Sequence, residues 1–279
     1  MKKIFQIFGL ISLICFSFFM TEKTALVVSE MDEIMIEIKA NYKKYSSDSI
    51  DAIINENTII PGVSGKDVNI NKSYKNMKLS GYYSDKLYVY DYTKPKISLS
   101  DNIDKYIIKG NPNKRMVSLI FKVKDGDDIN AVLKIINNYN INVTFFIDSN
   151  YFTNNNELIQ KLINDGHNIG ILLDDYNDFN FEWMDMVIKK INNQKNSFCY
   201  SKEDNDKNLE ICKLKHNYTI RPVEISDKTP LVDIKDKLES GSILSLNINS
   251  QVRKELSTII IYIKSKGFII DNIENHLLE

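Results

Sequence analysis

Asp148, Asp174 and Asp175 follow apolar runs that read as strands, and the ends of such strands are where a parallel sheet presents its chemistry. An all-carboxylate set suits a hard cation such as magnesium or calcium better than a hydrolytic zinc. The competing reading is three solvated loop residues, the usual state of acidic side chains. Histidine chemistry has little to work with, because the 279-residue chain holds only His167, His216 and His276. His216 ends a predicted helix and His276 lies near the last residue, so neither is placed to join a strand-end site. Cys199 and Cys212 would close a short loop if the chain is exported. Cys212 also falls with Leu209 on the apolar side of a predicted helix, which tilts the reading toward a buried thiol.

The elements that position these residues are clearest over Arg115–Asp175. Met116–Phe121 is a continuous apolar run of strand length, followed by Asp127 and Asp128 where a helix N-cap belongs. Ile129, Val132, Leu133, Ile135 and Ile136 share one face of a 3.6-residue period, and Asn137–Asn140 breaks that helix. Val143–Ile147 reads as a second strand. Asn154–Asn156 caps a helix that buries Leu158, Ile159, Leu162 and Ile163, and Gly166 ends it before a third strand, Asn168–Leu173. Short connections between alternating elements mean parallel pairing with right-handed crossovers. The alternation continues through a helix face from Phe181 to Ile191, strands at 197–200, 218–221 and 242–247, and helices at 209–214 and 231–238. A last helix around Ile259–Ile263 ends near Gly267, before Phe268–Ile270. An α/β fold is expected, in the form of a distorted (β/α) barrel.

Val117–Phe121, Asn142–Ile147 and Asp165-Gly166-His167-Asn168-Ile169-Gly170 resemble the framework of the NodB-homology polysaccharide deacetylases, and the resemblance runs from Arg115 to the end. The resemblance implies a distorted barrel that removes acetyl groups from N-acetylated sugars. It also implies a divalent metal held by one Asp and two His, with a neighbouring Asp as general base. Aligned with the family's Thr-Phe-Asp-Asp-Gly, this chain has Ile120, Phe121, Lys122 and Val123, so the base position is Lys122 and the first ligand position Val123. The two ligand histidines become Leu172 and Tyr176. The Arg-x-Pro-Tyr motif becomes Ser197-Phe198-Cys199-Tyr200, and the histidine after the last approach strand becomes Asn247. No counterpart of the family's Asp-x-x-Asp-Trp is evident near Tyr218–Asp227. His167 falls on a framework position that points away from the site.

Valine cannot ligate, and a lysine ammonium beside a dication is repelled. The expectation is therefore a pseudoenzyme without a metal cofactor or a catalytic set. Asp148, Asp174, Asp175, Tyr200 and Asn247 remain as candidate ligand contacts at the strand ends, and cell-wall glycan or an envelope protein as partner. Two alternatives stay open: a divergent hydrolase built on Asp148, Asp174 and Asp175, and a structural envelope protein.

The formal net charge of -1 offers nothing for nucleic acid to recognise. Lys2-Lys3 precedes an apolar run from Ile4 to Met20, which reads as a signal peptide or an uncleaved anchor with its positive end inside. No small-x-small site follows Met20, which favours the anchor: membrane contact through residues 4–20 and an extracytoplasmic body, secreted if the signal is cut. Cys15 follows Ile14 where a lipidation site needs a small residue, so it reads as an apolar membrane cysteine. The expected organisation is an anchor over 1–20, a helical stalk over 21–45, a small α+β region over 46–112 and the deacetylase-like domain over 113–279. Met31, Ile34, Met35, Ile38 and Tyr42 recur at helical spacing but for too few turns to make a coiled coil. Tyr82, Tyr83, Tyr88, Tyr90 and Tyr92 would stack sugar rings or pack as one strand face, and packing explains the alternation without a ligand.

Overall fold

A computed structural model describes residues 11, 13, 16, 17, 30–173, 178–193 and 197–279. Most of the expected anchor, and Asp174, Asp175 and Tyr176, lie outside the described residues. No described helix is long and apolar enough to cross a membrane.

The chain forms two units: one from residues up to Ser49 and Ser64–Lys94, the other from Ile50–Val63 and Pro95–Glu279. Helix α1 (Glu33–Tyr45) belongs to the first, and the hairpin of β1 (Ile53–Asn55) and β2 (Thr58–Ile60) to the second. Strand β3 (Gly65–Val68), helix α2 (Ile70–Ser80) and strand β4 (Tyr90–Thr93) complete the small unit. Asp32 caps α1 at Ile34 N, and Asn69 caps α2 at Lys72 N. Ile38 of α1 is buried against Val68, Met77 and Tyr88. The expected stalk is thus a working part of a small α+β unit, because its apolar stripe has a sheet and a second helix to cover it. Tyr45, Tyr88, Tyr90 and Tyr92 follow one another with ring centroids 4.9, 6.3 and 6.4 Å apart, buried at Tyr88 and exposed at Tyr92.

The large unit runs β5 (Tyr106–Ile107), β6 (Met116–Val123), α3 (Ile129–Asn138), β7 (Thr144–Ile147), α4 (Ser149–Asn154) and α5 (Asn156–Asn164). It continues with β8 (Asn168–Leu172), α6 (Asp178–Ile191), β9 (Phe198–Tyr200), α7 (Asp206–Leu214), β10 (Tyr218–Ile220) and β11 (Val223–Glu224). Helix α8 (Pro230–Lys237), strand β12 (Ile243–Asn247), helix α9 (Ser250–Ser265), strand β13 (Ile269–Ile270) and helix α10 (Ile273–Leu277) complete it. The sheet order is β1-β2-β5-β10-β9-β8-β7-β6-β12-β11, with β13 on β6, and every pair except β1–β2 is parallel. The sheet curls, and a single antiparallel bridge between Lys109 and Ser242 joins its β5 side to β12. That one bridge, in place of a ladder, is what makes the barrel distorted. Strands β2 and β5 hydrogen-bond into the barrel sheet ahead of residue 112.

Strand alternation sorts the side chains into two layers. Ile120, Phe146, Leu172, Phe198, Tyr200, Ile220 and Ile243 share the interior cluster. Val117, Leu119, Phe121, Val123, Phe145 and Ile147 face the helices instead. Gly170 is required by this packing: a Cβ there would lie 2.4 Å from the Phe146 ring. Cys199, on the outward side of β9, is joined to Cys212 of α7 by a disulfide. The apolar face that suggested a buried thiol is the face that brings Cys212 to its partner; both residues are fully buried.

A lysine–glutamate pair in the barrel mouth

At the C-terminal end of β6, strand alternation turns Lys122 inward and Val123 outward. Val123 is fully buried in the layer beneath the helices, so the expected ligand position does not face the mouth. Lys122 Nζ lies 2.5 Å from Glu224 Oε2 and 5.5 Å from the centroid of the Tyr200 ring. The ammonium is thus held between a carboxylate and an aromatic face, a geometry that favours a cation. The Lys122 side chain retains 11% of its exposure and Glu224 31%. Tyr200 reaches across the interior to Ser245, its hydroxyl 2.9 Å from Ser245 Oγ, and its ring meets Phe146 edge-on at 5.4 Å.

Glu224 comes from β11, whose register places it beside Ser245 of β12, while Asn247 is beside Lys122. The Asn247 amide donates to both oxygens of Asp227 at 3.0 and 2.9 Å, and Asn249 donates to Asp227 at 2.8 Å. Glu224 and Asp227 escaped the sequence reading, yet the signal was present. Glu224-Ile225-Ser226-Asp227 keeps the acidic-x-x-acidic spacing of the family's Asp-x-x-Asp-Trp, with Glu for the first Asp and Lys228 for Trp. Glu224 Oε1 is buried and has no hydrogen-bond partner among the described residues.

Asp148 has a different occupation. Its Oδ1 caps α4 at Tyr151 N, 2.7 Å away, and its Oδ2 accepts from Asp125 N at 3.1 Å. Burial pushes the nearby Asp127 carboxyl above its usual range, and the charge of Asp148 adds to that. Asp174 and Asp175, the two carboxylates Asp148 was grouped with, lie outside the described residues. Tyr200 also lines a polar pocket of about 200 Å³ with Ser201, Asn205 and Asn208.

The histidines serve the opposite end of the barrel. His167 is buried, accepts from Val143 N at Nδ1 (3.3 Å) and meets Phe145 edge-on. His276, on α10, is fully buried with Nδ1 2.8 Å from Ser118 Oγ, and burial pulls its pKa down to about 4. Gly110 makes room for its ring, because a Cβ there would lie 2.2 Å from Nε2.

A divalent ion of the kind the family uses does not fit these residues. Val123 points into the helix layer, Leu172 is a buried hydrocarbon facing the interior, and Lys122 brings a fixed positive charge to the base position. Among the described residues no three His, Cys, Asp or Glu side chains are grouped to hold a metal. Tyr176, at the second histidine position, lies outside the described residues.

Residues 109–200 match the family model for polysaccharide deacetylase. YlxY of Bacillus subtilis, an uncharacterized protein, is 34% identical over 153 residues, 54% of this chain and 48% of that protein. The chain thus spans about half the length of that curated relative. The fold is similar to that of wild-type BA3943 of Bacillus anthracis, described as a CE4 family pseudoenzyme. The TM-score is 0.68 at 23% identity, covering 88% of this chain and 95% of that one. A BA3943 mutant described as having restored enzymatic activity matches with TM-score 0.68 at 22% identity, over 88% and 98% of the two chains. PdaA of Bacillus subtilis, a family 4 carbohydrate esterase, matches with TM-score 0.53 at 18% identity, over 64% of this chain and 87% of that one.

Proposed function

Because this chain carries a degenerate polysaccharide deacetylase domain, we propose that it is a glycan-binding pseudoenzyme, held on the outer face of the cytoplasmic membrane by residues 4–20. The observation that carries this reading is the Lys122–Glu224 pair under Tyr200. An ammonium stands at the family's base position, so the residue there cannot take a proton from an attacking water. What survives is the framework, an aromatic face and polar groups at the mouth, which are means of holding a sugar rather than cutting it. The pocket beside Tyr200 gives a ligand room. The disulfide between Cys199 and Cys212 supports an extracytoplasmic body, since such bonds persist in oxidising compartments. The description of BA3943 as a pseudoenzyme supports the loss of turnover on a fold of this kind.

The test pairs two assays on one preparation. Calorimetry with N-acetylglucosamine oligomers and soluble peptidoglycan fragments is expected to show binding. An acetate-release assay on the same ligands with added zinc is expected to stay at background. Sustained acetate release would overturn the reading, as would the absence of binding to every fragment.

A further inference from the structure

The floor of the barrel holds a polar cup of about 410 Å³, walled by Asn137, Asn140, Ile141, Asn142, Asp165 and His167. It lies at the N-terminal ends of β7 and β8, whereas Lys122 is at the C-terminal end of β6. His167 is only 3% exposed, and its Nδ1 accepts from Val143 N. Burial lowers the pKa of the ring and keeps it neutral, so its one proton is on Nε2. Nε2 makes no hydrogen bond among the described residues and is not sealed from solvent, so its N–H opens into the cup. A polar group at that depth without a protein partner is uncommon. The side-chain amides of Asn137, Asn140 and Asn142 also make no hydrogen bond among the described residues. Asn142 rests against Gly166, where a Cβ would lie 3.3 Å from its Nδ2.

Charge narrows what this cup can take. Among the described residues Asp165 is the one ionised side chain on its walls, and Lys161 Nζ, 2.7 Å from Asp165 Oδ2, balances it. Neither an anion nor a cation therefore gains much there. A metal ion finds no imidazole lone pair, because Nε2 holds the proton and Nδ1 is taken by Val143 N. What the walls do offer is donors and acceptors side by side: each amide supplies both, His167 a donor and Asp165 an acceptor. The group that matches such a lining is the hydroxyl, which donates and accepts from one atom, and a small ring carrying several of them is a sugar. We infer that this cup is a second carbohydrate site, which holds a neutral sugar ring by its hydroxyls, one of them accepting from His167 Nε2–H. The site uses no residue of the mouth and does not rest on the reading of Lys122 and Glu224.

The experiment is nuclear magnetic resonance on the full chain, following the His167 ring nitrogens and the Asn142 side-chain amide while glucose is added. Both signals are expected to shift and saturate with a Kd on the order of 1 mM, the scale of a small polar ligand in an open cup. Asn142→Ala is expected to weaken glucose by roughly threefold to tenfold, the worth of about one hydrogen bond. Its thermal unfolding should stay near that of the parent, because the amide is not bonded within the fold. Asn140→Gly removes a second amide at a residue with φ of 48°, where glycine carries no strain, and should weaken glucose by a similar factor. It carries the test should Asn142→Ala fail to fold. Shifts that do not saturate by about 100 mM glucose, far above the expected Kd, would overturn the site. So would tighter binding of inorganic phosphate than of glucose, or unchanged affinity in both variants. A sugar held only at the mouth leaves both signals unmoved, an outcome that overturns the second site and keeps the mouth reading.

Discussion

At the floor of the barrel, buried polar groups tie the end of the chain back to the strands, although His276 Nε2 has no hydrogen-bond partner among the described residues. Ser118 Oγ donates to Asp271 O and meets His276 Nδ1, both at 2.8 Å. The Glu279 carboxylate accepts from Gly62 N at 2.7 Å and Leu99 N at 2.8 Å, and Lys114 donates to the carbonyls of His276 and Leu278. At the mouth, Lys122 and Glu224 meet each other, and among the described residues Glu224 Oε1 has no partner either. The same strands end in both places, and the contrast is between a floor whose side chains bond to backbone of the chain's last residues and a mouth where two charged side chains meet each other. In barrels of this general kind the N-terminal face of the strands carries stability and the C-terminal face carries the site.

Substitutions should divide along that line. The largest effect is expected at the floor, where Ile273 is fully buried in the interior cluster. Ile273→Ala should cost about 3–4 kcal/mol in urea unfolding, as for other large-to-small core changes, while the remaining folded protein keeps its affinity for N-acetylglucosamine oligomers. A comparable loss of affinity without loss of stability would put Ile273 in the wrong class.

Acid should act on the floor next. The folded His276 pKa is about 4 against an ordinary value of 6.5, so the unfolded chain binds the proton more readily. Stability should therefore fall as pH drops from 6.5 toward 4, by about 3 kcal/mol in full. His167 is shifted in the same direction by burial. His276→Gln should flatten most of the slope measured by urea unfolding at pH 7, 6 and 5. Parallel slopes for parent and variant would remove His276 as the cause.

Reduction of the Cys199–Cys212 bond, whose partners are 13 residues apart, should lower stability by about 2–3 kcal/mol on loop-entropy grounds. The measurement is unfolding with and without reductant, and no change would mean that the bridge constrains the unfolded chain little. The smallest stability effect is expected at the mouth. The double variant Lys122→Met, Glu224→Gln should stay within about 1 kcal/mol of the parent, because both charges leave together and solvent already screens part of the pair. A large loss there would make the pair a structural brace and blur the division between the two ends.

Much of this fold was legible because its long elements are strongly periodic. Met116–Phe121, Val143–Ile147 and the helix face at Ile129–Ile136 lie where the apolar spacing placed them. The two- and three-residue strands β1, β2, β5 and β11 carry no period to read. The loss of the base was equally plain in Lys122. What took its place was not, because Glu224 sits 102 positions away and its approach depends on the register of β11 against β12. Val123 shows the limit of alignment: a position can match by letter count while its side chain faces the other layer.

The central claim is that a fixed ammonium, Lys122, has replaced the metal as the cation of this mouth. Calorimetric titration of tetra-N-acetylchitotetraose with and without EDTA tests it most directly. Identical affinities in the two buffers are the expected result. Binding that vanishes on chelation and returns with stoichiometric zinc would contradict the account.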